Sequence, residues 1–186
     1  MEKAIAILKS EHRSISAVLQ ALKDLARRAQ DTSVRPSFQA LRSLVRYIDE
    51  FPEQLHHPKE DRHLFARLVL RAPQTRLLIE ELHAEHDKGA RLIREVERAL
   101  LFLEEDWPGG RREFQQAVDG YAEFEWQHMR KEEEQLLPLA GRYLDADDWS
   151  AIGAAFAANT DPIAGVRGAE VETLFARIAI HTGAKS

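Results

Sequence analysis

Four histidines and two glutamates stand in this chain at spacings that could bring them to one point. His56 is followed four residues later by Glu60, and His128 four residues later by Glu132. A separation of four puts both side chains on one face of a helix, one turn apart. Ahead of each pair lies a lone histidine, His12 and His86, in an otherwise apolar helical stripe. The order His, then His-x-x-x-Glu, therefore occurs twice. "HHPKED" (56–61) aligns with "HMRKEE" (128–133), with Lys59/Lys131, Glu60/Glu132 and Leu64/Leu136 in register, and Glu11-His12 matches Glu85-His86.

Six titratable groups buried without partners would cost several kcal/mol each, an order-of-magnitude figure, and a bound metal removes that cost. Imidazole and carboxylate without thiolate suit iron, manganese or zinc. Each histidine would fill one position on a metal, and each glutamate, if bridging, one position on both metals of a pair. That leaves each metal with fewer protein donors than an octahedral ion accepts. Bridging solvent and an outside ligand would take the rest. Open positions on a redox metal inside a dry bundle suit dioxygen, peroxide or nitric oxide. The chain has no cysteine, which excludes thiol catalysis, disulfides, iron–sulfur clusters and cysteine-type zinc sites.

The neighbouring polar residues read differently. His57 and Asp61 repeat the four-residue spacing but turn about 100° away from His56 and Glu60 on an ideal helix. They are expected at the surface or behind the ligands. His63, whose counterpart is Gln135, and His83, off the stripe, are expected to support the centre rather than bind metal. Glu11 and Glu85 would bond to the ligands from behind or face solvent. The "KEEE" run (131–134) reads otherwise as a solvated helix face, and Tyr47 and Tyr121 as ordinary packing with a wet hydroxyl.

Positioning these groups requires long helices, and the apolar residues recur with helical spacing nearly throughout. The first helix carries Ile5, Leu8, Ile15, Leu19 and Leu22. After a polar stretch, Pro36 suits the first turn of a second helix. It holds Leu41, Leu44, Val45 and Ile48 and continues to about Leu70, with a kink expected at Pro52 and Pro58. A third carries Ile79, Leu82, Ile93, Val96 and Leu100, with His86 and Gly89 filling the missing steps. Past the "DWPGG" loop (106–110), a fourth holds Phe114, Val118, Tyr121, Phe124, His128 and Leu136 and ends near Gly141. No strand pattern is present. The expected fold is all-α: an up-down-up-down four-helix bundle over residues 1–144. A C-terminal helical extension, 145–186, would pack on it as a short capped helix and a last amphipathic one, "GAEVETLFARIAI". Its aromatics, Trp149, Phe156 and Phe175, would cover the bundle or form a homodimer contact.

The pattern of His12, His56 with Glu60, His86, and His128 with Glu132 resembles the bacterial hemerythrin-like, HHE cation-binding domains. The flanking "KEDRHLF" and "KEEEQLLP" are similar to the family's acid-rich sequence. The resemblance implies a four-helix bundle around a non-haem di-iron centre with a solvent-derived bridge; manganese or zinc would also suit the donor set. His12, His56, His86 and His128 would be terminal ligands, and Glu60 and Glu132 the bridges. Family members are associated with oxygen binding, sensing of oxygen or nitric oxide, iron handling and repair of iron–sulfur damage. The oxygen-carrying hemerythrins have a fifth histidine and an aspartate bridge; here both bridges would be glutamate, and His83 and His86 are not at the carrier's His-x-x-x-His spacing. The repair members usually carry a cysteine-bearing N-terminal segment. An enzymatic alternative is a di-metal oxidase or peroxidase in the same bundle, and a third is a metal-stabilised interaction module.

At 186 residues the chain is long enough for one domain with a full core. A net charge of −5 argues against non-specific nucleic-acid binding. No segment approaches the apolar length of a membrane span, and "MEKAIAILKSEH" lacks a signal peptide's apolar region, so the expected compartment is the cytoplasm.

Overall fold

Helix α1 (Glu2–Arg28) buries Leu8, His12, Ile15, Leu19 and Leu22 along one stripe. The structure, a computed structural model, describes residues 1–163. Helix α2 (Phe38–Ile48) is capped by Ser37, whose hydroxyl accepts the Ala40 N–H at 3.3 Å. Pro36 thus precedes the cap rather than occupying the first turn. The chain then stays helical to Arg71. It passes through a π-helical segment Asp49–His56, a short α3 (His57–Lys59), a second π-helical segment Glu60–Phe65, and α4 (Ala66–Arg71). Pro52 and Pro58 do not end the helix. A proline removes one backbone donor, and here the wider π turns accommodate that loss.

A 3₁₀ turn, Pro73–Thr75, leads into α5 (Arg76–Glu105). Its expected stripe, Ile79, Leu82, His86, Gly89, Ile93, Val96 and Leu100, is buried throughout. Helix α6 (Arg111–Lys131) runs into a third π-helical segment, Glu132–Leu136, and α7 (Leu137–Tyr143). Helix α1 packs on α2 and α6, and α5 packs on the same two, so four long segments close a ring. No strand occurs among the described residues, and none of their helices is long and apolar enough to cross a membrane.

The core is divided. Ile15, Leu19, Leu22, Ile93, Val96, Phe114 and Val118 belong to one apolar cluster. Leu8, Leu64, Phe65, Leu68, Ile79, Leu82 and Leu136 belong to another. Between them, one helical turn from Leu8 and from Ile15, lies the layer containing His12. The two apolar clusters hold a polar slab inside the bundle and keep water from it.

Helix α8 (Ala146–Ala157) begins with a capping box between Asp145 and Asp148. It packs on α1 and buries Trp149, Ile152 and Phe156 in the second cluster. Arg71 bonds Asp145 and, at 2.8 Å, Asp148, which ties the end of α4 to the start of α8. The Tyr47 hydroxyl donates to Asp161 at 3.1 Å instead of meeting only water. The amphipathic helix expected at 168–180, with Phe175, lies outside the described residues.

Candidate metal centre

Each of the four helical segments delivers one histidine of the repeat to the polar slab. His12 comes from α1, His56 from the end of the first π-helical segment, His86 from α5 and His128 from α6. All four are buried, as are Glu60 and Glu132. Both glutamates begin π-helical segments. Such insertions recur at functional sites because they re-aim side chains without breaking the helix.

Every one of these histidines is held from behind through Nδ1. His56 donates to Glu11 at 2.7 Å, His128 to Glu85 at 2.9 Å, His86 to Asp61 at 2.8 Å and His12 to Glu133 at 2.9 Å. An ionised carboxylate can only accept, so Nδ1 carries a proton, and Nε2 is the nitrogen left to present its lone pair to a cation. All four Nε2 atoms point inward, are buried, and have no hydrogen-bond partner. Glu60 Oε2 and both Glu132 oxygens are likewise unpartnered.

The two carboxylates lie across the middle. Glu60 turns Oε1 toward His56 Nε2 (3.4 Å) and His12 Nε2 (3.9 Å), and Oε2 toward His86 Nε2 (3.6 Å). Glu132 turns Oε2 toward His12 Nε2 (3.4 Å), and Oε1 toward His128 Nε2 (3.5 Å) and His86 Nε2 (3.9 Å). These separations are too long for good hydrogen bonds. They are close to what two ligands on one ion require, since bonds of about 2.1 Å at 90–110° set donors about 3–3.5 Å apart. Each glutamate therefore offers one oxygen to each of two adjacent positions.

Buried, unpaired donors of this kind cost roughly 1–3 kcal/mol apiece. Electrostatics offsets part of that cost. Burial would raise Glu132, but the His128, His12 and His86 imidazoles hold it well below the usual carboxylate range. Glu60 is lowered in the same way against burial and against Glu132. Burial would lower His12 and His86, yet their carboxylate partners raise both well above an ordinary histidine. The donor set fits cations of the hard or borderline class.

A family model for the hemerythrin HHE cation binding domain matches residues 3–140. This chain belongs to that family. The hemerythrin match covers both halves of the repeat and makes this a cation-binding helical domain. No curated protein matches the chain.

Within the hemerythrin frame, His57 departs from its expected place. It is not at the surface: it is 3 % exposed, and its ring stacks on His86 with centroids 4.3 Å apart. It offers a nitrogen within 4.8 Å of donor atoms of Glu60, His86 and His128, while His12, His56, Glu60 and Glu132 form the companion group on the same criterion. The reason is angular. On an ideal helix His56 lies about 40° to one side of Glu60 and His57 about 60° to the other. Glu60 spans both positions, so each histidine can flank one of them.

The rest of the surroundings divide the same way. Asp61 and Glu133, adjacent to Glu60 and Glu132, hold His86 and His12, so Glu133 does not simply face solvent. Lys131, from the same run, bonds Glu85 and Glu81. Asp61 also accepts from His83 at 2.8 Å, which places His83 behind His86 as a support. Among the described residues His63 belongs to neither of the two buried groups.

Sequence reasoning missed Glu53 and Glu125, seventy-two residues apart like the other pairs. Glu53 approaches His57 Nδ1 (3.5 Å) and Glu125 approaches His57 Nε2 (3.7 Å). The buried Tyr121 hydroxyl donates to Glu53 at 2.9 Å, so it is not wet. Gly89 makes the room: a Cβ there would lie 2.8 Å from Glu125 Oε1 and 3.1 Å from Glu53 Oε1. Burial pushes the Glu125 carboxyl up to about 8, with His128 opposing and Glu53 adding to the shift. The repeat of Glu53-x-x-His56 as Glu125-x-x-His128 was the available signal. At the opposite edge, a groove of about 350 Å³ lined by His12, Ser16, Trp126, Met129 and Glu133 lies over His12.

Proposed function

We propose that this protein holds a non-haem di-iron centre that binds or senses a small ligand such as dioxygen, peroxide or nitric oxide. The observation that carries the reading is the division of the Glu60 and Glu132 oxygens between two groups of partnerless Nε2 atoms. His12 and His56 would serve one position, and His86 and His128 the other, with both glutamates bridging. His57 would add a donor to the second. When bound, the iron pair supplies reversible electron transfer to or from a small ligand. The protein's part is to fix the imidazole tautomers, exclude water and leave a position open.

Donor counting makes the two positions unequal. The second would have three histidines and two glutamate oxygens, the first two histidines and two glutamate oxygens. With one solvent-derived bridge shared, an octahedral ion keeps an open position on the His12 side, where the groove over His12 lies. The test is anaerobic iron loading followed by air or azide. Visible absorption that changes with the added ligand is expected; a sample replete in iron that shows none sinks the reading.

A second reading, a di-metal peroxidase or oxidase, is favoured by the buried Glu53–His57–Glu125–Tyr121 cluster. An acid that keeps its proton near neutral pH beside the centre suits proton delivery. Peroxide turnover by the iron-loaded protein, reduced at least tenfold in Glu125→Gln, would support it; unchanged turnover would leave ligand binding as the function.

A further inference from the structure

The two halves fasten their ligands alike except at one place. In the second half, His128 donates to Glu85, and Lys131, three residues after His128, bonds the other oxygen of Glu85. In the first half, His56 donates to Glu11 Oε2, and Lys59, three residues after His56, should by analogy bond Glu11. It does not. Lys59 Nζ bonds the Ala155 carbonyl at 2.9 Å and the Asn159 side-chain oxygen. The Asn159 amide donates to Glu11 Oε1 at 2.9 Å in its stead.

We propose that Asn159 is a positioning residue for the metal centre. It acts through Glu11 on His56, so that the segment following the bundle is a working part of one half of the site. The proposal rests on the di-metal reading above only for its consequences, since the hydrogen-bond chain stands without a metal.

The chain is well supported at both ends. On the α8 side, the Phe156 ring meets the His56 ring edge-on at 5.8 Å, and the Phe156 carbonyl accepts the Asn159 N–H at 2.9 Å. On the far side, Asp161 is held by Tyr47, and Ile163 is 1 % exposed within the first apolar cluster. Asn159 is thus fixed between two anchors, with its amide aimed at Glu11. Exchanging an ammonium for an amide also changes chemistry. The Glu11 side chain is 6 % exposed and that of Glu85 20 %. The buried carboxylate receives a neutral donor and keeps its full charge for His56. The half-buried one shares its charge with a lysine. A fully charged acceptor makes the imidazole a stronger ligand. His56 faces the position with fewer protein donors, where that added basicity has most effect on an incoming ligand.

The experiment compares Asn159→Leu with Lys131→Met. Leucine fills the space of asparagine, makes neither bond, and stands between Lys59 and Glu11. In metal-free protein, nitrogen-15 NMR reads the tautomer of each buried imidazole. Asn159→Leu should convert His56 from the Nδ1–H form to a mixture and leave His128 unchanged; Lys131→Met should do the reverse. In metal-loaded protein, Asn159→Leu should speed chelator extraction of one ion about tenfold and not the other, in the range seen for partners behind metal-bound histidines. An unchanged His56 tautomer overturns the proposal. So does an equal response of His56 and His128, which would report a general loosening of the bundle. A wild-type protein that takes up no metal pair would fail the di-metal reading while leaving the tautomer result to decide this one.

Discussion

The two halves of the molecule repeat one plan and then depart from it at three positions. His57 stands where the other half has Met129, Lys59 is drawn to the extension where Lys131 stays with Glu85, and Ile15 stands where the other half has Gly89. On the di-metal reading proposed above, the repeat would build two equivalent cation positions. The departures would make them unequal, adding a third histidine beside one and a C-terminal brace behind the other. A symmetric frame is an economical way to assemble a two-ion site, because one helix–turn geometry solves the placement twice. Asymmetry would let one position anchor while the other stays open.

The largest effect is expected at Glu60 and Glu132. Glu60→Ala should remove an oxygen from both positions, so metal analysis should find both ions lost, whereas His128→Ala should spare the first. Equal loss in the two variants would mean that Glu60 does not bridge.

Next in size is an exchange of the unmatched pair. His57→Met makes the first half resemble the second and should weaken one ion roughly 10- to 100-fold in chelator competition, comparable to losing a partner behind a metal ligand. It should also open a second position to azide, detectable as doubled azide stoichiometry. An unaltered affinity would return His57 to a packing role.

The acids around His57 give a pH signature in the metal-free protein. The folded Glu125 carboxyl, pushed up to about 8 from 4.5, binds more protons than its unfolded form between those values. Its contribution to stability therefore falls as pH rises through that window, by at most ~1.4 kcal/mol per unit. His57, lowered to about 4 by burial and by His86, acts in the opposite sense between 4 and 6.5. The window to read is thus pH 6.5–8. There Glu125→Gln should flatten the decline seen in urea unfolding, and parallel slopes for the two proteins would contradict a protonated Glu125.

The smallest effect separates two of the helix glycines, Gly89 and Gly120. Gly89→Ala must displace Glu125 and should cost about 1–3 kcal/mol. Gly120→Ala, in α6 with nothing within 4 Å of the added carbon, should stabilise by about 0.5–1 kcal/mol. Thermal unfolding of the two variants should shift in opposite directions.

Much of this was legible in the chain itself. The stripe of α5 could be read residue by residue, including the steps taken by His86 and Gly89, because a helix buried on one face imposes its period on the sequence. The four histidines and two glutamates declared themselves by recurring seventy-odd residues apart. His57 did not, because a one-residue offset reads as a different face only while the target is a single point. Glu53 and Glu125 were hidden for a related reason: acids one turn before a histidine look like any solvated helix residue.

The helices, the pairing of the halves and the donor types are written in the chain alone, since all three follow from local periodicity and residue chemistry. Helix packing, by contrast, selects which nitrogen each imidazole presents, which side of Glu60 His57 takes, and the placing of Asn159 between Lys59 and Glu11. Those outcomes depend on contacts between residues far apart in the chain, from 25 residues for Asp61 and His86 to 148 for Glu11 and Asn159. A side chain's partner at that range is fixed by how the helices pack, not by its neighbours in sequence.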